Sequence, residues 1–505
     1  MNRVRRLVGG LLVGALVAAS CTATQTTSSR QLRVGWSELS TNLDSQIACT
    51  LTSWDALRFV NDPLVYVDAD LHTLKPWLAT SWEQTTPTVW TIKLRQGVKF
   101  QNGEPFNAQA MKFTIERFNT NPKVCLSTTY KFIDHVEVVD DYTAKIVTTS
   151  PNWSTMILLN LADMLPPKAV SDNPDKFATT PVGTGPYRVT EFVPNDHVTF
   201  EKNKDYWAYD PPYDKITWRV LKEPSTRVAA LLAHEVDWIN DIPVESIQQI
   251  KDAKFTLKTA PTVRPMSLAV NVAKTGPLND PRVIQALQYA VDRKKLVDTV
   301  LGGVTSVMDR SVVHPSLQYA AQFTPYTFDL TKAKQLLTDA GHPSGISNCV
   351  YGATSGLQVK DKEVGEAVLG MLHDAGVNCQ LDLRDSADYL NELRKGADSK
   401  FDVSFLSLSP ASLGMDFALL ILYAADPYVA YKNEQLNTLW NQARTEQSDQ
   451  KRADLYKQAQ QIAFTNGPFI HLYFNPVIDA TAEGVAYTPR GDEWEQLDWR
   501  YVQKK

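Results

Sequence analysis

Apolar positions along this chain follow two periods in alternation. From Trp90 to Phe100, Trp90, Ile92 and Leu94 alternate with Thr91, Lys93 and Arg95, the period-two pattern of a half-buried strand. Tyr187, Val189, Phe192 and Val193 predict a strand, and Val198 and Phe200 its hairpin partner across Asp196-His197. Val136, Val138 and Val139 predict another hairpin with Ala144 to Val147, turning at Asp140-Asp141. Leu32 to Trp36 and Leu64 to Val67 read as strands, and Trp54 to Val60 as a helix. Helical stripes follow starts of the expected chemistry. Asn107 caps a helix through Phe118; Asp280 caps one with Pro281 at its first position and Val283, Leu287, Ala290 and Val291 on one stripe. Pro224 opens a helix carrying Val228, Leu231 and Leu232, and Asp329 to Ala340 and Ser448 to Ala463 read as helices. Alternating strands and helices of this kind predict an α/β protein.

The tightest punctuation is Val182-Gly183-Thr184-Gly185-Pro186-Tyr187, a fixed turn before the first of those hairpins. Asn203 to Trp207 follows the hairpin and closes on a half-buried aromatic pair.

At the amino terminus, Arg3, Arg5 and Arg6 precede a thirteen-residue apolar run from Leu7 to Ala19. That length is too short to cross a bilayer and suits the core of a secretory signal. Ala18-Ala19-Ser20-Cys21 resembles a lipoprotein cleavage box, which implies that Cys21 becomes an acylated amino terminus. The alternative is an ordinary secretory signal beside a chance cysteine. Thr22 to Ser29 is almost free of apolar residues and reads as a tether. Loss of residues 1–20 removes three arginines and no acid, so the net charge moves from −5 to −8. With no long basic run, nucleic acid is not an expected partner. After Ala19 no apolar run approaches membrane length; the longest, Phe417 to Ala425, is nine residues and reads as a buried helix or strand.

Four cysteines remain after Cys21, an even count outside the cytoplasm, where disulfides persist. Val350-Tyr351 and Val377 to Leu383 read as strands either side of a helix from Asp361 to Ala375. A right-handed βαβ unit sets such strands side by side, so that Cys349 and Cys379 can be bonded across them. Cys49 and Cys125 then pair by elimination; buried free thiols are the alternative.

Catalytic signatures are missing. His234-Glu235 opens like a metalloprotease helix, but Trp238 stands where the second histidine is needed. Gly183-x-Gly185 runs into Pro186 and lacks the third glycine of a dinucleotide loop. Neither GxxxxGK[ST] nor GxSxG occurs, and the eight histidines are scattered. No enzyme activity, cofactor or metal is expected.

Three blocks together resemble the peptide/nickel/opine-binding family of extracellular solute-binding proteins of bacterial ABC importers. The first runs from Pro76-Trp77-Leu78 through Trp90 to Arg95 and on to Val98-Lys99-Phe100-Gln101-Asn102-Gly103-Glu104-Pro105-Phe106-Asn107-Ala108. The second is the Val182 to Trp207 stretch; the third is Asn279-Asp280-Pro281-Arg282-Val283 with Ala286-Leu287, Ala290 to Arg293 and Gly302-Gly303. The resemblance implies two lobes with a ligand cleft between them and an extra α+β subdomain. It divides the chain into signal 1–20, tether 21–30, first lobe 31–62 and 181–268, extra subdomain 63–180, second lobe 269–470 and a return to the first lobe over 471–505. It implies a monomer that captures peptide and hands it to membrane permease subunits from the outer face of the cytoplasmic membrane. In peptide-binding relatives an aspartate in a W-x-x-D-x-x-D-P-like segment pairs the ligand's amino terminus. The corresponding stretch here, Phe401 to Asp416, lacks the tryptophan and the DP pair and keeps only Asp416 near that place, with Ser409 in the altered loop. Asp416 equally suits a helix cap before Phe417 to Leu420. Asn271 matches an asparagine found where lobes meet, and Trp54 is either a cleft aromatic or a core residue. The altered loop leaves open a non-peptide solute (oligosaccharide, opine, metal chelate or haem), or a scaffold lipoprotein that no longer transports.

Overall fold

The computed structural model describes residues 30–48, 50–407, 413–420, 423, 431–492 and 503–504. The sequence motifs converge on one buried carboxylate. Asp62 accepts hydrogen bonds from Trp77 Nε1 (2.8 Å), Thr184 Oγ1 (2.8 Å), Tyr206 OH (2.9 Å) and Trp207 Nε1 (3.2 Å). Burial pushes its pKa up, and the four donors pull against that shift. Gly185 N–H and Tyr187 N–H donate to the carbonyls of Val60 and Phe59, each at 2.8 Å. The backbones lie so close that a Cβ on Gly183 would stand 2.0 Å from Val60 O, which is why glycine is required there. Gln101 Nε2 and Asn203 Nδ2 then cap the Gly185 carbonyl at 3.2 and 3.0 Å.

The turn feeds one edge of a ten-stranded mixed sheet. In spatial order its strands are Val377–Arg384, Ile346–Thr354, Val403–Ser407, Thr256–Val270, Phe469–Thr481, Trp238–Ile239, Gln31–Trp36, Lys215–Val220, His197–Lys202 and Tyr187–Val193. The two long central strands, Thr256–Val270 and Phe469–Thr481, pair antiparallel along their length and run through both halves of the sheet. Their register shifts between Pro261 and Pro265, and Pro261 faces Pro476. Proline has no N–H to give, so the ladder is interrupted midway, between one half-sheet and the other. One half is packed by Trp36, Phe59, Tyr187, Phe200, Trp218 and Trp238; the other by Leu268, Leu287, Tyr351, Val368, Val403 and Ile470. These are the two lobes of a two-lobed α/β fold.

A third unit is inserted between the first helix and the Gly183 turn. Four antiparallel strands, ordered Ala79–Thr86, Val89–Leu94, Thr143–Thr148 and Ile133–Asp140, bury Ile92, Ile146 and Val136 against Met111 and Ile115 of the helix Ala108–Thr120. Asn107 Oδ1 caps that helix by accepting from the N–H groups of Gln109 and Ala110, both at 3.1 Å. The strand expected over Trp90 to Phe100 ends at Leu94, because the chain turns at Gly97 with φ +78°. The first helix spans Leu51–Leu57, earlier than Trp54 to Val60, because Thr50 Oγ1 caps it by accepting from Ser53 N–H.

Cys349 and Cys379 are bonded across adjacent parallel strands, directly opposite one another with Cα atoms 4.4 Å apart. The helix Asp361–Ala375 makes the crossover between those strands. Cys125 is also disulfide-bonded. Cys49, Cys21, Ser409 and the whole signal segment lie outside the described residues. Among the described residues no helix is long and apolar enough to cross a membrane, and no His/Cys/Asp/Glu group could hold a metal ion.

Candidate functional site

A cavity of about 460 Å³ opens where the third unit meets the second lobe. One wall is the segment after strand Thr143–Thr148, with Ser150, Asn152 and Ser154; the other is the short helix Met415–Leu419 with Trp440 and Arg444 from the helix Glu434–Thr445. A larger depression of about 590 Å³ between the helices Glu434–Thr445 and Asp449–Asn466 is lined by exposed polar groups such as Gln442, Lys451 and Asp454. It holds no buried charge, so the smaller cavity is the better candidate.

Asp416 forms part of its floor and is buried. Its Oδ2 faces Ser154 Oγ at 2.9 Å, and its Oδ1 accepts from Tyr456 OH. Tyr456 OH accepts in turn from Trp153 Nε1 at 2.9 Å. Ser154 Oγ also lies 2.7 Å from Asn152 Oδ1. The Ser154 hydroxyl proton thus has two acceptors within reach, Asp416 Oδ2 and Asn152 Oδ1. Burial pushes the Asp416 carboxyl above its usual range, opposed by the bonds from Tyr456 and Ser154 and by the charges of Arg444 and Arg452. A cation placed beside this buried carboxyl would favour its ionised form. Arg444 stacks its guanidinium on Trp440, 4.7 Å from the ring centroid, and Lys131 stands exposed on the cavity's edge.

Asp416 is not a helix cap. Gly414 occupies the cap position, and the Asp416 side chain turns to Tyr456 and Ser154. Trp54 stands apart from this cavity, donating Nε1–H to Ser45 O at 2.9 Å within the packing of the first helix. Asn271 ends the long strand Thr256–Val270, with its amide Nδ2 donating to Gly396 O at 2.9 Å and lying 3.5 Å from Phe401 O. Its side chain fixes a loop of the second lobe. Of the described residues singled out from sequence as ligand contacts, the structure brings Asp416 to the cavity and leaves Trp54 and Asn271 outside its lining. Trp153, Ser154, Tyr456 and Arg444 were not singled out; they are 40 or more residues from Asp416 in the chain, except Arg444, and no local pattern announces them.

The sequence profile of the bacterial extracellular solute-binding proteins, family 5, middle region, matches residues 73–428, well over half of the chain. The chain belongs to this family. It is similar to the glutathione-binding protein GsiB of Salmonella typhimurium, at 31% identity over 411 residues covering 78% of this chain and 79% of the relative. GsiB of Pectobacterium atrosepticum is 29% identical, with 94% of each chain covered. In fold it is similar to HbpA2 of Haemophilus parasuis, at a TM-score of 0.82 and 24% identity over 94% of this chain and 100% of that one. It is also similar to the substrate-binding protein CtaP of Listeria monocytogenes, at a TM-score of 0.84 and 21% identity over 94% and 99%. The chain is therefore the solute-binding component of an ABC importer, working outside the cytoplasm with a membrane permease, and it is not an enzyme.

Proposed function

We propose that this protein captures short peptides in the cavity over Asp416, with the ligand's amino terminus at that carboxylate, and that it is tethered to the membrane by an acylated Cys21. The observation that carries the peptide reading is the buried Asp416 carboxyl in a cavity with Arg444 on its wall and Lys131 at its edge. One anionic and two cationic groups complement a molecule with an ammonium at one end and carboxylates elsewhere. About 460 Å³ falls in the range of sites for small, largely buried ligands. Glutathione has that charge pattern, an ammonium and two carboxylates in a tripeptide, and relatives at 31% and 29% identity are named for binding it. Closure of the two lobes around the ligand would be recognised by the permease, with the proline-interrupted central strands absorbing the rotation.

Titration calorimetry with glutathione, a neutral tripeptide and its N-acetylated form tests the ligand class. Binding of the free peptides and not the acetylated one supports the reading; binding of none of them overturns it. The anchor is tested separately. Cys21→Ala should abolish acylation and release the protein into the soluble fraction, and retention at the membrane would remove the lipoprotein reading.

A further inference from the structure

Arg444 stands on the cavity wall, one helical turn beyond Trp440 on the helix Glu434–Thr445. Its guanidinium lies on the Trp440 ring, 4.7 Å from the centroid. Stacking uses the face of that planar group and leaves the N–H donors of its edge able to bond. Its Nε is buried and has no hydrogen-bond partner among the described residues. A buried charged donor without an acceptor is costly, so its place in a cavity wall marks where an acceptor from outside belongs. A carboxylate suits that edge, because its two oxygens match two N–H groups of the fork.

Trp440 also sets how far such an acceptor stands from Asp416. Its Nε1–H donates to the Asp416 backbone carbonyl at 3.1 Å. The same indole therefore carries Arg444 on its face and holds the helix Met415–Leu419 by its edge. Asp416 uses one bond on each carboxyl oxygen, to Tyr456 and to Ser154, whereas an ionised carboxylate has about four acceptor sites. Lone pairs thus remain for an ammonium. A seat for an ammonium and a seat for a carboxylate are separated by a single ring.

In an ordinary peptide the carbon that bears the terminal ammonium also bears an amide, and the terminal carboxylate lies at the far end of the chain. A glutamyl residue linked through its side chain differs: its α-ammonium and α-carboxylate both stay free on one carbon. Such a head spans neighbouring opposite charges with no intervening chain. Lys131, exposed at the cavity's edge, is then placed for the carboxylate of the other end.

Resting on the reading of Asp416 as the seat of the ligand's amino terminus, we propose that Arg444 determines specificity at this site and that the solute is a γ-linked glutamyl peptide, its α-carboxylate on Arg444 and its α-ammonium on Asp416.

The test is titration calorimetry with glutathione, its α-linked isomer and N-acetylated glutathione, on the wild type and on Arg444→Gln. The two isomers have the same atoms and charge and differ only in which glutamyl carboxyl is free. One hydrogen-bonded charge contact corresponds to about tenfold or more in affinity, so the wild type is expected to prefer the γ-linked isomer by that factor. Arg444→Gln should weaken the γ-linked isomer and bring the two within about threefold of each other. A merely structural role of Arg444 would weaken both alike and leave their ratio unmoved. Equal affinity of the wild type for the two isomers, with the acetylated form excluded, would overturn the γ-linked solute and leave Asp416 as the amino-terminal seat. A γ preference that persists in folded Arg444→Gln would overturn the role of Arg444. Binding of neither isomer would remove the peptide reading itself. The wild-type comparison decides the linkage even where the variant does not fold.

Discussion

Ser154 and Asp416 stand 262 residues apart in the chain and 2.9 Å apart in the fold, hydroxyl to carboxyl, in a buried junction between the third unit and the second lobe. A buried acid needs partners, and this one takes them from two separate bodies. The third unit and the second lobe thus meet at a single side chain.

The disulfide across the second lobe's edge strands closes a loop with a sequence separation of 30. The chain-entropy model gives about 3–4 kcal/mol for such a loop. Cys349→Ala with Cys379→Ala is expected to lower the unfolding free energy by about that amount in urea melts. Non-reducing peptide maps of the native protein should show these two cysteines joined; free thiols at both would contradict the pairing.

The Gly183 turn tolerates no side chain. A Cβ there would overlap the Val60 carbonyl, a backbone group that cannot swing away. Gly183→Ala should cost about 3 kcal/mol, the upper end of overpacking penalties. Gly276→Ala is the control: its backbone is extended, with no atom within 4 Å of the added carbon, and it should shift stability by less than about 0.5 kcal/mol. Equal thermal melts for the two variants would refute the account of the turn.

Two buried histidines predict an acid limit. Burial lowers His471 to about 3 and His314 to about 4. His471 is held neutral between Ser267 Oγ (2.7 Å) and Tyr423 OH (2.9 Å). Both pKa values lie below the unfolded value of about 6.5, so the unfolded chain binds protons that the folded one refuses. Their contribution is present above about pH 6.5 and is lost as pH falls toward 4. The slope is up to about 1.4 kcal/mol per pH unit for each histidine. His471→Gln should flatten the stability profile between pH 6.5 and 4.5 relative to wild type; parallel profiles would contradict this.

Local chemistry was legible in the sequence where local bonds decide it. Asn107, Asp280, Asp329 and Ser448 all cap the helices they precede, and Cys349 meets Cys379 because a crossover helix sets their strands side by side. Trp77, Thr184, Tyr206 and Trp207 were visible as motif residues, but their shared acceptor, Asp62, was not; nothing local marks an aspartate that collects donors from three distant segments. Trp153 and Tyr456 escaped notice for the same reason, since their contact spans 303 residues and obeys no period. Asn271 was legible as a junction residue, yet its bonds to Gly396 and Phe401 belong to one lobe.

The most direct test of the peptide reading is calorimetry on Asp416→Asn. Asparagine keeps an acceptor for Tyr456 OH and turns an amide N–H to Ser154 Oγ, whose own proton can go to Asn152 Oδ1, so the fold and its melting temperature should be nearly unchanged. It cannot neutralise a buried ammonium, and removing one partner of a buried charge pair costs about 3–5 kcal/mol. Free peptide should therefore bind the variant roughly a hundredfold or more weaker than wild type. N-acetylated peptide should bind both poorly. Equal affinity of wild type and variant for the free peptide, or equal affinity of the wild type for free and acetylated peptide, would contradict the assignment of Asp416 to the ligand's amino terminus.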